Sequence, residues 1–167
     1  MQPKGAAPIR EPAFTRAQAM RTGAFWLLAL YTLLVFPVQA GVSLHQAPHL
    51  IERGFSPILA ATVISVFSAM SALASLTIGF LPRRWPIQAS LVVAALLMGV
   101  GTFGLIGVDS AAVAFSAAGV FGFGIGGIMT TLPVAWADYF GRESYGAIRG
   151  TALTFQVVGA AVGPLLS

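Results

Sequence analysis

Two glutamines, Gln39 and Gln156, stand out among the polar residues of this sequence, because each lies inside a long uncharged apolar segment. A carboxamide carries two N–H donors and an acceptor oxygen, and in an apolar medium it is costly without a partner or water. Gln156 shares a helical face with small residues, and Gln39 shares one with Thr32 and Val35. We predict that both glutamines contact a bound solute; hydrogen bonds between helices are the alternative.

Four hydroxyl-bearing residues of the apolar segments, Tyr31, Thr130, Thr131 and Thr154, are weaker candidates for the same role. Hydroxyl groups in apolar helices most often bond to a neighbouring helix or to their own backbone. We therefore expect Tyr31, Thr130 and Thr154 to stand behind the glutamines in a solute site, with structural hydrogen bonding as the alternative.

A short polar segment between the last two apolar stretches carries Asp138 and Arg142 at a spacing of four residues, with Arg149 shortly after them. An exposed pair of this kind contributes at most about 1 kcal/mol to stability. The pair could equally be a clasp between two helix ends that holds one conformational state, and the sequence leaves both interpretations open. We assign Asp138 and Arg142, together with Arg83 and Arg84, to a candidate gate.

Metal and cofactor chemistry is not predicted. His45 and His49 have the spacing of two ligands on one helical face, but Pro48 is expected to interrupt that helix, and no third ligand accompanies them. The chain has no cysteine, and it lacks the HExxH, GxSxG and phosphate-loop motifs. The stretch GFGIGG at 122–127 lies in an apolar run with no preceding strand, which argues against a nucleotide fingerprint. We predict no metal, no cofactor and no enzyme activity.

The composition indicates that lipid surrounds most of the chain. Apolar residues make up 57% of the sequence and charged residues only 8%, whereas soluble domains carry about 25% charged residues. So few charges could not cover a surface in water. The net charge is +4, but the basic residues lie between apolar runs, which suits anionic lipid headgroups better than nucleic acid. The expected partner is a lipid bilayer, and no nucleic acid is expected.

The elements that must position these residues are five uncharged apolar segments, each close to the roughly 20 residues that cross a bilayer as a helix. The alternative, a soluble all-α protein, would need buried helices without any polar face. Residues 1–22 are polar and rich in proline, so we predict a tail in which Thr15 caps a short helix. The predicted fold is an all-α integral membrane bundle over residues 23–167, with spans near 24–43, 57–81, 87–107, 111–135 and 151–167.

The basic residues are distributed unevenly between the two sides that alternating spans define. Eight of the 9 fall in the tail and in the second and fourth connections, and Arg53 alone falls on the other side. Lys and Arg are retained on the cytoplasmic side of a membrane. We therefore predict a multi-pass protein of the cell membrane with a cytoplasmic N-terminus. The eight residues are Lys4, Arg10, Arg16, Arg21, Arg83, Arg84, Arg142 and Arg149.

Small residues of three spans fall on single helical faces, where a neighbouring backbone approaches closely in membrane bundles. We predict that the small face of the second span contacts a helix, whereas its bulky residues, among them Val63 and Phe67, face lipid. Phe115 limits the contact of the fourth span to the part from Gly119 onward. The small faces comprise Ala61, Ser65, Ser68, Ala72, Ser75 and Gly79 in the second span, Ala112, Gly119, Gly122, Gly126, Thr130 and Pro133 in the fourth, and Ala152, Gln156, Gly159 and Gly163 in the fifth.

Several motifs occur in the order found in the major facilitator superfamily, and residues 14–167 resemble spans seven to eleven of a twelve-helix member. The segment Gly79–Arg84 is similar to the family's glycine and basic loop, although Pro82 stands where an aspartate is usual. Asp138–Gly150 is similar to the loop after span ten, and Gly159–Pro164 resembles the family's glycine-proline motif. The resemblance implies half of the family's helical bundle.

His45–Gly54 resembles the outer loop of monocarboxylate-transporter-like and oxalate/formate-type members. The resemblance implies a secondary transporter that moves a small solute by alternating access, and it leaves open an organic anion, a drug-like solute and a coupling proton. It also implies a missing N-terminal six-helix half and a chain that stops within span eleven, so we expect a fragment of a transporter. The alternatives are a non-transporting membrane assembly module and a truncated remnant.

Overall fold

The computed structural model describes residues 14–80 and 86–166, and within these ranges the chain forms α-helices and no β-strand. The predicted all-α class is confirmed. The helices are α1 (Arg16–Ala19), α2 (Gly23–Glu52), α3 (Pro57–Gly79), α4 (Ile87–Ile106), α5 (Ala111–Phe140) and α6 (Tyr145–Leu166). By length and hydropathy, α2, α3, α4 and α5 can each cross a membrane. The span predicted for residues 151–167 falls in α6, which has 22 residues, and stays a prediction.

Hydroxyl side chains start four of these helices. Thr15, Thr22, Ser56 and Ser110 each occupy the N-cap, where the side-chain oxygen accepts a hydrogen bond from a backbone N–H of the first turn. Those N–H groups have no carbonyl partner within the helix, so the cap removes the cost of leaving them unpaired. Thr15 also forms a capping box with Gln18, which confirms the short helix predicted in the tail.

Two helices are longer than the apolar segments that predicted them. α2 continues beyond Ser43 to Glu52, and α5 continues beyond Ala135 to Phe140. The expectation that Pro48 interrupts the first of them was wrong, because helical turns continue on both sides of it. A proline removes one backbone hydrogen bond and bends a helix, but it does not have to end it. Apolarity marks the part of a helix that lies in lipid, and these two helices have polar ends beyond that part.

α5 is the central helix, and it packs extensively on both α3 and α4. A Cβ atom added at Gly122 would overlap the carbonyl of Phe67 in α3, and one added at Gly126 would overlap the carbonyl of Ser71. The two backbones therefore touch with no side chain between them, which is the close approach that small residues permit in membrane bundles. The contact stripe predicted for the fourth span is confirmed at Gly119, Gly122 and Gly126.

α4 meets α5 through glycines contributed by both helices. A Cβ atom added at Gly101 of α4 would lie 2.5 Å from the backbone nitrogen of Phe121, and one added at Gly124 of α5 would lie 2.5 Å from the backbone nitrogen of Met98. No larger residue fits at either position without separating the helices, because such distances are far below van der Waals contact. α5 is thus held through its backbone on two sides.

The contact face predicted for α3 was wrong except at Ser75, whose hydroxyl lies 3.3 Å from the carbonyl oxygen of Gly126 in α5. Val63 is fully buried and Phe67 stacks at 5.6 Å between ring centroids on Phe121 of α5, whereas the small residues Ala61 and Ser65 are exposed. The reason is that glycines on one helix suffice for a close approach. Because α5 supplies the room, α3 can present its bulky side chains to α5 and leave its small, hydroxyl-rich face uncovered.

α6 packs mainly on α2, at the position of a proline. A Cβ atom added at Gly159 would lie 3.1 Å from the ring of Pro37, and one added at Gly163 would overlap the Pro37 backbone. The small-residue face predicted for the fifth span is therefore a helix contact, as expected. Pro37 lacks an N–H, so the carbonyl of Leu33 has no donor from its own helix at this point.

An aromatic cluster fixes the end of the bundle that carries α1, here called the α1 end. The rings of Phe14, Phe25, Trp136 and Phe140 pack with centroid separations between 5.5 and 6.3 Å. The backbone N–H of Phe14 also donates to the carbonyl of Phe140 at 3.3 Å. Aromatic pairs in edge-to-face geometry add to the free energy gained from burial. The cluster therefore attaches the segment around α1 to both α2 and α5.

Hydrogen bonds to helix-end carbonyls fix the opposite end. A ring nitrogen of His49 lies 3.0 Å from the carbonyl oxygen of Leu105, and the guanidinium of Arg53 donates to the carbonyl of Ile106 at 2.7 Å. These carbonyls belong to the last turn of α4, where no helical N–H serves them. A cation near a helix C-terminus also interacts favourably with the helix dipole.

Gly126→Ala is expected to destabilise the bundle by about 1–3 kcal/mol, because the added methyl group must push α3 away from α5. Gly99→Ala is the matched control, since nothing lies within 4 Å of its Cβ position. We expect that control to leave stability unchanged or to raise it slightly, because alanine favours a helix more than glycine does. Thermal unfolding of the purified variants in detergent measures the difference. Equal stability of the two variants would contradict the backbone contact.

Candidate solute site

A narrow groove lies between α2, α5 and α6, in the half of the bundle nearer the α1 end. The space along it, open solvent at its mouth included, is about 160 Å³, and its side chains stand too close together to enclose a water molecule, so a ligand would need the groove to widen. Its lining combines apolar residues with a few polar ones, as in small-molecule sites, although the groove is smaller than such sites usually are. Its lining consists of Thr32 from α2, Leu132 and Trp136 from α5, and Arg149, Ala152, Leu153 and Gln156 from α6.

Gln156 is the predicted site residue that the structure places in this groove. It is half-buried, and the side-chain hydrogen bonds that α6 forms within the described residues come from Tyr145, Thr151 and Thr154 instead. Its position follows from the packing of α6, because Gly159, one turn further on, contacts Pro37 of α2. The packing of α6 therefore places Gln156 beside the groove, where its carboxamide forms no hydrogen bond with a described residue.

Arg149 and Trp136 are groove residues to which the sequence assigned no solute contact. The predicted fifth span began at residue 151, which left Arg149 in a loop, whereas α6 begins at Tyr145. Arg149 and Gln156 lie about two turns apart on one helix and so share a face. Had the start of the last helix been predicted among the polar residues before residue 150, Arg149 and Gln156 would have been placed on one helical face. Trp136 is 1% exposed and rests on the rings of the aromatic cluster.

Two predicted site residues of α2 are engaged within the protein. The hydroxyl of Tyr31 donates to the carbonyl of Leu91 in α4 at 2.9 Å. The amide nitrogen of Gln39 donates to the hydroxyl of Ser43, one turn further along the same helix, at 3.2 Å. Neither residue lines the groove. Tyr31 therefore links two helices, and Gln39 does not join Gln156 in the lining of the groove.

The two predicted threonines bond to their own helices. The hydroxyl of Thr130 donates to the carbonyl of Gly126 at 2.9 Å, and that of Thr154 lies 3.5 Å from the carbonyl of Gly150. Such bonds satisfy a hydroxyl without a second helix. Thr130 is half-buried and Thr154 is exposed, and the structure does not bring either into the groove.

The candidate gate residues Asp138 and Arg142 are both exposed at the α1 end. α5 ends at Phe140, and Gly141 adopts a positive φ of 78°, a conformation that favours glycine. Asp138 lies before this turn and Arg142 after it, so the two do not share a helical face. Their spacing of four residues therefore gives no helical pair. Arg83 and Arg84, the other candidate gate residues, lie outside the described residues.

The two histidines are separated in environment. His49 is bound to the end of α4, and His45 is exposed. Within the described residues, no group of three or more His, Cys, Asp or Glu side chains could hold a metal ion. The absence of a metal or a cofactor from the function stays a prediction.

Two buried polar atoms have no hydrogen-bond partner in the described part of the chain, namely the amide nitrogen of Gln46 and the hydroxyl of Thr131. Gln46 is 5% exposed and Thr131 is 4% exposed. Gln46 was not among the predicted site residues, because the first span was expected to end before it. Neither side chain lines the groove, so they are not part of the candidate site.

Comparison with protein families gives one assignment. A family model described as Major Facilitator Superfamily matches residues 2–164. The match includes α1 to α5 and nearly all of α6. It is a match to the superfamily as a whole and does not distinguish among its branches. No curated protein matches the chain.

The contrast between Gln156 and Tyr31 predicts opposite effects on stability. Gln156→Leu is expected to leave the stability of the bundle unchanged or to raise it, because it removes an amide that bonds no described residue and keeps a similar volume. Tyr31→Phe is expected to lower stability by about 0.6 kcal/mol, the average worth of a hydrogen bond between membrane helices. Thermal unfolding in detergent measures both. A loss in Gln156→Leu as large as that in Tyr31→Phe would mean that the Gln156 amide has a structural partner.

Proposed function

Because the chain belongs to the major facilitator superfamily, we propose that it takes part in moving a small solute across a lipid bilayer, as a secondary transporter that works by alternating access. The observation that carries the proposal beyond the family is the groove between α2, α5 and α6. Its lining combines apolar side chains with the carboxamide of Gln156 and the guanidinium of Arg149. Over residues 14–80 and 86–166, the bundle around it contains four helices that are long and apolar enough to cross a membrane. An enzyme would need an acid, base or metal set, and the groove is lined by none.

Gln156 is the residue that we propose for direct contact with the solute. Its support is its place in the groove, together with an amide that is not used by neighbouring described residues. Gln39, Tyr31, Thr130 and Thr154 remain in the proposal as secondary contacts. Each of these four has a hydrogen bond inside the protein. To bind a solute, they would have to exchange that bond or offer a second one.

The uncovered face of α3 fits a contact with further helices. Ser65, Ser68 and Ala72 are exposed there, and the two serine hydroxyls donate back to carbonyls of their own helix. A small and internally satisfied face lets another backbone approach closely in lipid. We propose that this face lies against the second six-helix half that completes the transport path in this family.

We further propose that the protein lies in the cell membrane with the α1 end in the cytoplasm. The described basic residues support this orientation, because Arg16, Arg21, Arg142 and Arg149 belong to that end and Arg53 to the other. Positive side chains are retained in the cytoplasm. Asp138 and Arg142, with Arg83 and Arg84, would then belong to a cytoplasmic gate.

Cysteine labelling tests the orientation. The chain has no cysteine, so Arg53→Cys and Arg142→Cys each introduce a single reactive thiol. A membrane-impermeant maleimide added to intact cells is expected to label position 53 and to leave position 142 unlabelled until the membrane is opened. Labelling of position 142 alone in intact cells would reverse the proposed orientation.

Transport measurements test the role of Gln156. In proteoliposomes that contain the full-length protein, a panel of radiolabelled small solutes first identifies one that is taken up. We expect Gln156→Ala to lower kcat/KM for that solute by about tenfold, because the amide that would bond it is lost. Gln88→Ala is the matched control, since Gln88 is exposed and bonds Tyr139 outside the groove. Unchanged kinetics in Gln156→Ala at equal protein level would remove Gln156 from the solute site.

A further inference from the structure

We propose that Arg149 and the groove beside it form a binding site for an oxyanion, supplied either by the acid group of a small solute or by the phosphate of a lipid headgroup. This inference concerns binding and does not depend on transport. It assigns a ligand class to a residue for which the sequence predicted no contact.

The polar groups of the groove favour a negative charge. Arg149 offers a guanidinium with several N–H donors, Gln156 offers an amide N–H₂ group, and Trp136 offers an indole N–H. Thr32 already donates to the carbonyl of Leu28 at 2.7 Å. No Asp or Glu is among the residues that line the groove. A site with one positive charge, two neutral donor groups and no carboxylate attracts an anion and repels a cation.

The guanidinium of Arg149 has no protein partner among the described residues. Hydrogen bonds from the side chains of α6 involve Tyr145, Thr151 and Thr154. The nearest acidic residues in sequence, Asp138 and Glu143, are exposed and lie outside the groove. Arg149 itself is half-buried, so part of its hydration is lost without a compensating bond. An oxyanion would restore that bond, and guanidinium groups bind carboxylates and phosphates in a matched, two-pronged geometry.

The order of residues along α6 gives the ligand a direction. Arg149 lies in the first turns of the helix, and Gln156 lies about 10 Å further along its axis. Between them the groove is lined by Ala152 and Leu153, with Leu132 opposite on α5. A ligand whose charged group meets Arg149 would therefore place an apolar body along this stretch. Short-chain carboxylates and the phosphate end of a phospholipid both have this arrangement.

Thermal unfolding of the full chain in phosphatidylcholine nanodiscs tests the site with two probes. In the first arm, propionate is compared with propionamide, which has the same shape and no charge. In the second arm, discs with phosphatidylglycerol are compared with discs of phosphatidylcholine alone. A rise in Tm with propionate only identifies a solute acid as the ligand. A rise with phosphatidylglycerol only identifies a lipid phosphate.

The variants locate the effect. Arg149→Gln is expected to weaken binding of the effective probe by about tenfold or more, because a charge-assisted hydrogen bond is lost. Arg149→Lys keeps the positive charge but loses the planar guanidinium that can form two parallel hydrogen bonds. We expect this variant to retain part of the affinity. Arg21→Gln is the control, because Arg21 is an exposed cation outside the groove, and it should respond like the unmodified protein.

Two outcomes would overturn the proposal. One is that neither propionate nor phosphatidylglycerol raises Tm more than its uncharged comparison. The other is that Arg149→Gln and Arg21→Gln respond alike. Should Arg149→Gln fail to fold, Leu153→Trp provides the second test, since it fills the groove and keeps the guanidinium. That variant must then lose the response, and a full response in it would place the anion elsewhere.

Discussion

Backbone contact between α5 and its two neighbours is the constraint on which the rest of the structure depends. Lipid tails are as apolar as leucine side chains, so no hydrophobic force drives these helices together. Their association needs many short van der Waals contacts, each of which is weak. Gly122, Gly124 and Gly126 of α5 and Gly101 of α4 make such contacts possible in the middle of α5. Because α3 and α4 hold α5 on two sides, α5 has a fixed position in the bundle. The α5 side of the groove, formed by Leu132 and Trp136, is therefore fixed as well.

The fold class and the helix contacts of α5 and α6 could be predicted from the sequence, because they depend on composition and on glycine spacing. The partner face of α3 could not. A stripe of small residues marks a face that permits close approach, but it does not say which of two facing helices supplies the room. Here α5 does so, and Val63 and Phe67 fill the contact from the other side. The continuation of α2 through Pro48 was missed because a proline weakens a helix locally without deciding where it ends.

The candidate site shows a similar division. Gln156 could be identified from the sequence, because an amide in an apolar segment with small neighbours is conspicuous. Arg149 could not be identified in this way. It lines the groove only because α6 already starts at Tyr145 and because α5 lies on the opposite side of the groove. Tyr31 and Gln39 are both polar residues of the same apolar segment. The side chain of Tyr31 nevertheless bonds to α4, and that of Gln39 bonds to its own helix. Which partner a polar group finds is a property of packing, and no local pattern contains it.

The preference of α6 for α2 divides the bundle mechanically into two bodies. One body is the α2–α6 pair, interlocked where Gly159 and Gly163 receive Pro37, and the other is α3, α4 and α5, joined through backbone contacts. Between the bodies the packing is sparser than within them. Phe25 of α2 packs on Trp136 and Phe140 of α5 in the aromatic cluster. Single hydrogen bonds from Tyr31, His49 and Arg53 reach α4. The groove lies at the interface of the two bodies, with Arg149 and Gln156 on the α6 side and Leu132 and Trp136 on the α5 side. If one body were to slide past the other, the groove would change its width while the packing inside each body stayed intact.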